Sequence, residues 1–384
     1  LLIYLILFLL VLIVSSTTNK LLPFLPLPLV QILLGIVIGL FLPNTDFHLN
    51  TELFLALVIG PLLFRESEEA DITAILKHWR IIVYLIFPVI FISTLSLGGL
   101  AHFLWLSLPL AACLAVGAAL GPTDLVAFAS LSERFSFPKR VSNILKGEGL
   151  LNDASGLVAF QVALTAWTTG AFSLGQASSS LIFSILGGFL IGFLTAMTNR
   201  FLHSFLLSMR ATDIASELLL ELSLPLVTFF LAEEVHVSGI IAVVVAGILK
   251  ASRFKKITLL EAQVDTVTET VWHTVNFMLN GSVFVILGME LEMIAEPILT
   301  NPIYNPLLLL GSLIALTFIL FAIRFVMIYG YYAYRTRRLK KKLNKYMKDM
   351  LLLTFSGVKG TVSIATILLI PSNLEQEYPL LLFL

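Results

Sequence analysis

The sequence GAALGPTD occupies residues 117 to 124, inside an apolar run that extends from residue 108 to 131. A proline removes a backbone donor and its ring clashes with the preceding turn, so a helix that reaches Pro122 is predicted to break there. Asp124 follows two residues later and places a carboxylate beside the predicted break. Whether this charge lies in water or in lipid depends on the sequence around it.

The composition of the whole chain predicts lipid. Its 384 residues are 58% hydrophobic and only 12% charged, and a soluble chain of this length needs more charge to cover its surface. The formal net charge is zero, so no excess of basic residues predicts nucleic acid as a partner. The single cysteine, Cys113, excludes an intrachain disulfide, and no Cys/His spacing typical of a metal site is present. No cofactor is expected.

Long apolar runs recur along the chain. Because a membrane helix needs roughly 20 apolar residues, the sequence predicts an all-α integral membrane protein with about 12 to 13 transmembrane helices. The predicted spans are 1–16, 22–42, 51–64, 81–104, 108–131, 141–169, 179–199, 214–233, 236–250, 270–289, 306–333 and 350–371, with a further span that starts near Pro379. Together they form one predicted transporter domain over residues 1–384, and the carboxyl end is expected to be truncated.

Basic residues alternate between the loops. One alternate set of loops contains Lys and Arg, and the other set contains Asp and Glu instead. Since cytoplasmic loops are enriched in Lys and Arg, the basic loops are predicted to be cytoplasmic and the amino terminus to lie outside. A multi-pass protein of the plasma (cell inner) membrane, surrounded by lipid, is expected. The basic stretch at residues 334–349 is interpreted as a topology signal near lipid headgroups.

Several charges fall inside predicted spans, among them Glu148, Asp153 and Arg324. A charge at the bilayer centre costs between about 2.5 and 17 kcal/mol, so each needs a partner or a water-filled cavity. On a helix, Glu148 and Asp153 point about 140° apart at 100° per residue and are not expected to bind one cation together. We expect Glu148 to pair with Arg324 and to lock two helices together, while Asp153 stays titratable.

A second predicted break lies in the last complete span, where residues 357–360 read GVKG. Broken backbone at membrane depth is tolerated only where it is buried or lines a cavity. Two interrupted spans in corresponding halves of a chain indicate a transporter site near the midplane. Asp124 and Lys359 have the charges that would compensate the dipoles of the half-helix ends.

Five stretches of the chain carry a resemblance to a known family: GPTD at 121–124, GEGLLNDA at 147–154, VSGIIAVVVAG at 237–247, NG at 280–281 with Phe284 and Gly288, and GVKGTVS at 357–363. With them the sequence resembles the monovalent cation/proton antiporter family, in the branch that contains the sodium/proton exchangers. The stretches follow the family's order and cover almost the whole chain. GEGLLNDA is specific, whereas each of the others alone would be weak.

The resemblance implies an inverted-repeat fold in which two broken helices, the fifth and the twelfth, cross. A core domain that holds them moves against a dimerisation domain. We assign residues 1–64 and 179–289 to dimerisation and residues 81–169 and 306–384 to transport. A homodimer is the implied assembly.

The resemblance also implies roles for individual residues. Asp153 resembles the group that takes either the cation or the proton, and Asn152 its partner in the Asn-Asp pair associated with electroneutral exchange. Thr123 and Asp124 resemble the contribution of the unwound helix, so that Asp153, Asp124 and Thr123 would be ligands of the transported Na⁺.

Two further residues, Glu148 and Arg324, resemble the family's structural ion pair. The chain departs from the family pattern at Gly149, where a serine is frequent, and at Lys359, where an arginine is usual. The second change keeps the charge but loses the guanidinium fork.

These residues predict a secondary active antiporter that exchanges Na⁺ for H⁺ by alternating access, with Li⁺ and K⁺ as alternative cations. Cation and proton would compete at Asp153. A K⁺/H⁺ antiporter is the alternative, and a cation channel is less favoured because channels usually repeat one pore element around an axis. An enzyme is not expected, since the sequence lacks Gly-x-Ser-x-Gly and His-Glu-x-x-His motifs.

Overall fold

The protein is all-helical in every part that is described, and no strand occurs there. The computed structural model describes residues 2–22, 24–41, 51–105, 108–121, 123, 128, 136–169, 174–209, 213–251, 259–300, 306–338, 340 and 343–357. The predicted all-α fold class is confirmed for these residues.

The helices follow the apolar runs of the sequence. They are α1 (Leu2–Leu21), α2 (Leu27–Phe41), α3 (Thr51–Phe54), α4 (Gly60–Glu68), α5 (Ile72–Leu76), α6 (Trp79–Tyr84), α7 (Ile90–Leu104), α8 (Leu110–Ala119), α9 (Lys139–Thr169), α10 (Leu174–Ser208), α11 (Ile214–Glu234), α12 (Gly239–Ala251), α13 (Leu259–Thr300), α14 (Pro306–Arg338) and α15 (Met347–Phe355).

Two π-helical turns join some of these helices. Leu55–Ile59 links α3 to α4, and Leu85–Val89 links α6 to α7. The second turn contains Pro88, which lacks an N–H donor, and the wider turn lets the helix continue past it.

Five helical segments of the described chain are long and apolar enough to cross a membrane. They are Trp79–Leu104, Ile182–Ser208, Ile214–Glu234, Thr266–Leu291 and Leu310–Arg338, and shorter apolar helices occur at Ile6–Leu21, Leu27–Phe41, Leu110–Ala119 and Gly239–Ala251. The chain is therefore a multi-pass membrane protein.

Two helices differ in their bounds from the predicted spans. The span predicted at 270–289 agrees with the apolar segment Thr266–Leu291, but the helix α13 that contains it is longer, because polar residues on both sides of the apolar run stay helical. The span predicted to start at residue 236 starts instead at Gly239, because His236 adopts a left-handed backbone (φ 57°). The His236 and Val237 N–H groups donate to the carbonyls of Glu233 and Ala232, which ends α11.

The chain divides into two compact units. Unit 1 comprises Leu1–Phe8, Asp46–Ile72 and Leu174–Val283, and unit 2 comprises Leu9–Thr45, Thr73–Ser173 and Phe284–Leu384. The predicted assignment of helices to dimerisation and transport regions stays a prediction.

Within unit 2, α7 and α8 pack backbone against backbone. A Cβ atom added to Gly117 would lie 2.6 Å from the Thr94 carbonyl oxygen, and one added to Gly98 would lie 2.8 Å from the Leu114 Cα. The glycines therefore permit an approach that no side chain would allow. On another side of α8, small alanines, among them Ala115 and Ala119, pack against Phe160 of α9.

Within unit 1, a buried charge cluster joins α4, α11 and α12. Lys250 Nζ lies 2.7 Å from Oε1 of Glu221 and 3.3 Å from Oε1 of Glu68. Arg65 pairs with the other oxygen of Glu68 at 2.9 Å, and the Trp272 indole N–H donates to Oε1 of Glu221 at 3.0 Å. Only 7% of the Lys250 side chain is exposed, so the ammonium depends on these carboxylates for its solvation.

We expect Lys250→Met to lower the free energy of unfolding by roughly 3–5 kcal/mol, because it leaves two mostly buried carboxylates without their shared cation. Thermal unfolding of the purified protein in detergent measures the effect.

Lys20→Met is the matched control, since Lys20 is exposed on α1 and should tolerate the change. Equal melting temperatures for the two variants would contradict the stabilising role of the cluster.

Candidate functional site

The site is built at the break of the fifth predicted span. Helix α8 ends at Ala119, and the Leu120 and Gly121 N–H groups donate to the carbonyls of Val116 and Ala118 at 3.0 and 3.1 Å. Thr123 lies outside regular structure and is only 4% exposed. The helix thus ends just before the Gly-Pro pair, and Thr123 is buried in non-helical backbone.

Asn152 on α9 meets this broken segment. Its Nδ2 donates to Oγ1 of Thr123 at 3.0 Å, and the side chain of Asn152 is fully buried. The Oδ1 atom of Asn152 is also buried and accepts no hydrogen bond from the described part of the chain. A buried amide oxygen without a donor is costly, and a cation or a water molecule is the kind of group that would satisfy it.

The remaining predicted ligands are only partly described. Asp153 follows Asn152 within α9, with helical backbone, but its side chain lies outside the described part. Asp124 and Lys359 lie outside the described residues altogether. Of the predicted site residues, the structure therefore brings Asn152 and Thr123 together and leaves the positions of Asp153, Asp124 and Lys359 as predictions.

One helical turn before Asn152, Glu148 forms a bidentate ion pair with Arg324 of α14. The Arg324 Nη1 and Nη2 atoms donate to the two carboxylate oxygens of Glu148 at 2.7 and 2.8 Å. The Glu148 side chain is fully buried and that of Arg324 is 4% exposed. Two parallel charge-assisted bonds fix both the distance and the orientation between α9 and α14.

A third helix completes the arrangement. Arg324 Nε donates to the carbonyl oxygen of Leu353 at 3.0 Å, near the carboxyl end of α15. That carbonyl is one of the last four of the helix, which have no partner within the helix in a regular α-helix. Arg324 therefore joins the end of α15 to the helix that carries Asn152.

Gly357 is needed beside this arginine. A Cβ atom at this position would lie 2.6 Å from Nε and 2.7 Å from Cζ of Arg324. The sequence indicated Gly357 as a helix breaker, and the structure adds that its missing side chain leaves the space for the guanidinium group. The Leu353 carbonyl was not predicted, because a backbone acceptor has no signature in the sequence.

Comparison with known proteins identifies relatives over almost the entire chain. The family model described as "Sodium/hydrogen exchanger, transmembrane" matches residues 5–384. A Bacillus subtilis protein named a sodium, potassium, lithium and rubidium/H(+) antiporter is 35% identical over 369 residues, which cover 95% of this chain and 55% of that protein. The Bacillus pumilus protein of the same name is 35% identical over 367 residues, with the same two coverages. The chain thus spans about half the length of these two relatives.

A third relative, from Escherichia coli, is named an uncharacterized Na(+)/H(+) exchanger. It is 30% identical over 369 residues, which cover 93% of this chain and 67% of that protein. Among solved structures, a sodium proton antiporter from Methanocaldococcus jannaschii superposes with a TM-score of 0.70 at 18% identity, covering 98% of this chain and 90% of that one. This likeness shows the fold.

We expect Gly357→Ala to displace the Arg324 guanidinium and to break its bidentate contact with Glu148. An uncompensated buried charge would then lower the free energy of unfolding by roughly 3–5 kcal/mol. Thermal unfolding in detergent checks this.

Gly330→Ala provides the control on the same helix as Arg324, because a Cβ atom there meets nothing within 4 Å. The melting temperature of Gly330→Ala should equal that of the parent or lie slightly above it. If Gly357→Ala also melts like the parent, the guanidinium group does not need the space at this position.

Proposed function

Because the chain belongs to the family of transmembrane sodium/hydrogen exchangers, we propose that it is a secondary active antiporter that exchanges Na⁺ for H⁺ across the membrane. The observation that carries the proposal is the buried Oδ1 of Asn152, which lacks a donor and lies beside the broken end of α8. Na⁺ is a hard cation that prefers oxygen ligands, and the Thr123 hydroxyl supplies a second oxygen nearby.

The exchange would follow from competition at one carboxylate. Asp153 is the next residue along α9 after Asn152, and either a cation or a proton would neutralise its charge. Since moving an uncompensated charge through the membrane is costly, the transport helices would change their access only when Asp153 is occupied. Strict exchange by alternating access then needs no separate gate. Asp124 would contribute to the cation site, and Asp124 and Lys359 would balance the half-helix ends.

Glu148 and Arg324 have a positioning role in this mechanism. Their ion pair is satisfied by its own partners and leaves neither group free to bind a transported ion. Because Glu148 and Asn152 are four residues apart, they lie on the same face of α9. The pair would therefore hold Asn152 at the break of α8 while the ions change.

A K⁺/H⁺ antiporter is the second candidate. The names of the two Bacillus relatives include potassium, lithium and rubidium besides sodium. An oxygen site built from an amide, a hydroxyl and carboxylates does not exclude the larger cation. We further propose that the protein is a homodimer in the cell inner membrane, with the basic loops on the cytoplasmic side.

The test is proton movement in sealed liposomes that contain the purified full-length protein. A pH dye is followed after pulses of Na⁺ or K⁺, with Asp153→Asn beside the parent. We expect the parent to move protons and Asp153→Asn to fall to the level of empty liposomes, because an amide cannot exchange a proton for a cation. Competition also predicts that the apparent KM for the cation rises about tenfold for each pH unit below the range where Asp153 is ionised.

Asp213→Asn is the matched control, since Asp213 is an exposed carboxylate that caps α11. It should transport like the parent. Proton flux in Asp153→Asn equal to that in the parent would disprove the assignment of Asp153, and cation current without proton coupling would favour a channel.

A further inference from the structure

The connection between α14 and α15 is strongly basic. We call residues 335–348 the basic segment; it contains no acidic residue and eight basic ones, namely Arg335, Arg337, Arg338, Lys340, Lys341, Lys342, Lys345 and Lys348. The sequence alone assigned this stretch a general role as a topology signal. The contacts of the segment indicate a more specific role.

Six of the basic side chains lie within the described residues, and all six are exposed. They are those of Arg335, Arg337, Arg338, Lys340, Lys345 and Lys348. In the part of the chain that the structure describes, none of these six forms an ion pair with an acidic side chain. Their charges are therefore available to an external anion.

The segment is nonetheless fixed at both of its ends to the first turn of α9. Arg140 Nη1 lies 3.5 Å from Oδ2 of Asp349, just after the segment, and Nη2 donates to the Tyr332 hydroxyl, just before it, at 3.3 Å. The Arg140 guanidinium also lies 5.5 Å from the ring centroid of Tyr332 and 5.1 Å from that of Tyr346. Asp349, the nearest acidic neighbour in the sequence, is thus occupied by a residue outside the segment.

The position of the segment matches the edge of a membrane. It begins at the end of Leu310–Arg338, one of the helical segments long and apolar enough to cross a bilayer. Tyr334, immediately before it, is 69% exposed, as is typical of aromatic side chains at the level of lipid headgroups. Lys340 has a left-handed backbone (φ 52°), and its N–H donates to the Arg337 carbonyl oxygen at 3.3 Å, so the chain turns where α14 ends.

We propose that the basic segment is a binding surface for the headgroups of anionic phospholipids. Clusters of four to eight Lys and Arg residues next to a membrane helix attract anionic lipid electrostatically. The exposed charges are spread over the end of α14, the turn after it and the start of α15. Such a spread-out arrangement can contact many headgroups at once, whereas a single anion would need an enclosed site. The proposal goes beyond the exchange of ions and does not depend on which cation is transported.

Bound lipid would act on the site through α15. Asp349, which Arg140 holds, lies one helical turn before Leu353, whose carbonyl oxygen accepts the Arg324 N–H. Lipid that orders the basic segment therefore also supports the contact between Arg324 and Glu148. Anionic lipid should for this reason raise the melting temperature of the protein as well as bind to it.

The experiment measures binding and stability without transport. Full-length protein in neutral detergent is titrated with phosphatidylglycerol or phosphatidylcholine, and bound lipid and melting temperature are recorded. The variant is R337Q/R338Q/K340G, in which glycine suits the left-handed backbone of residue 340. We expect phosphatidylglycerol to raise the melting temperature of the parent, and the variant to bind this lipid on the order of a hundredfold more weakly.

The matched control is K20Q/K77Q/R200Q, which removes three exposed basic side chains elsewhere and should bind phosphatidylglycerol like the parent. Equal loss of binding in the control, or no loss in R337Q/R338Q/K340G, would overturn the proposal. So would an equal rise in the melting temperature of the parent with inorganic phosphate at the same concentration, because a free anion would then be sufficient.

A measurement on the parent alone covers the case in which the triple variant does not fold. The preference for phosphatidylglycerol over phosphatidylcholine should disappear in about 1 M choline chloride, where charges are screened beyond roughly 3 Å. A preference that persists at this ionic strength would contradict electrostatic recognition by the basic segment.

Discussion

The ion pair between Glu148 and Arg324 is the constraint on which the rest of the transport site depends. Neither charge is tolerable alone in an apolar environment, and each of the three guanidinium nitrogens has a partner: Nη1 and Nη2 donate to the carboxylate, and Nε donates to the Leu353 carbonyl oxygen. Three helices, α9, α14 and α15, therefore have their mutual positions fixed by one side chain. Gly357 is part of the same arrangement because a larger residue would occupy the volume of the guanidinium.

One turn further along α9, Asn152 differs from Glu148 because one of its polar atoms has no hydrogen-bond partner among the described residues. Both carboxylate oxygens of Glu148 accept a hydrogen bond from Arg324, whereas Asn152 donates to Thr123 and its Oδ1 has no donor in the described part of the chain. A polar group that is completely satisfied contributes rigidity, and one that is partly satisfied can contribute binding. The same helix thus presents a structural group and a ligand group on one face, and the first holds the second in place. Because Glu148 holds the helix and Asn152 would contact the ion, the site could exchange one ion for another while the helices keep their positions.

Part of this arrangement could be predicted from the sequence. The break before Thr123 followed from proline chemistry, and the partnership of Glu148 and Arg324 followed from the small number of charges available at that depth. The contributions of Leu353 and Gly357 could not be predicted, because they depend on where α15 ends in space. Lys250 is the last residue of the predicted span 236–250, and the sequence did not predict that it would be mostly buried between carboxylates of α4 and α11. Hydropathy measures the apolar part of a span and does not reveal which helices pack together. For α13 it located the apolar span but not the polar turns by which the helix continues on both sides.

The close contact of α7 with α8 also determines how this protein can be studied with chemical labels. Cys113, the only cysteine of the chain, lies inside that contact and has no exposed surface. The parent sequence is therefore a ready background for thiol chemistry, since a water-soluble reagent has no native target that it can reach. Cysteines introduced at Gly121 or Thr123, which lie outside regular helix, would report accessibility from either side of the membrane. A cysteine at Gly98 or Gly117 would instead force α7 and α8 apart. Labelling at these two positions would therefore report a disrupted helix pair and not the accessibility of the native protein.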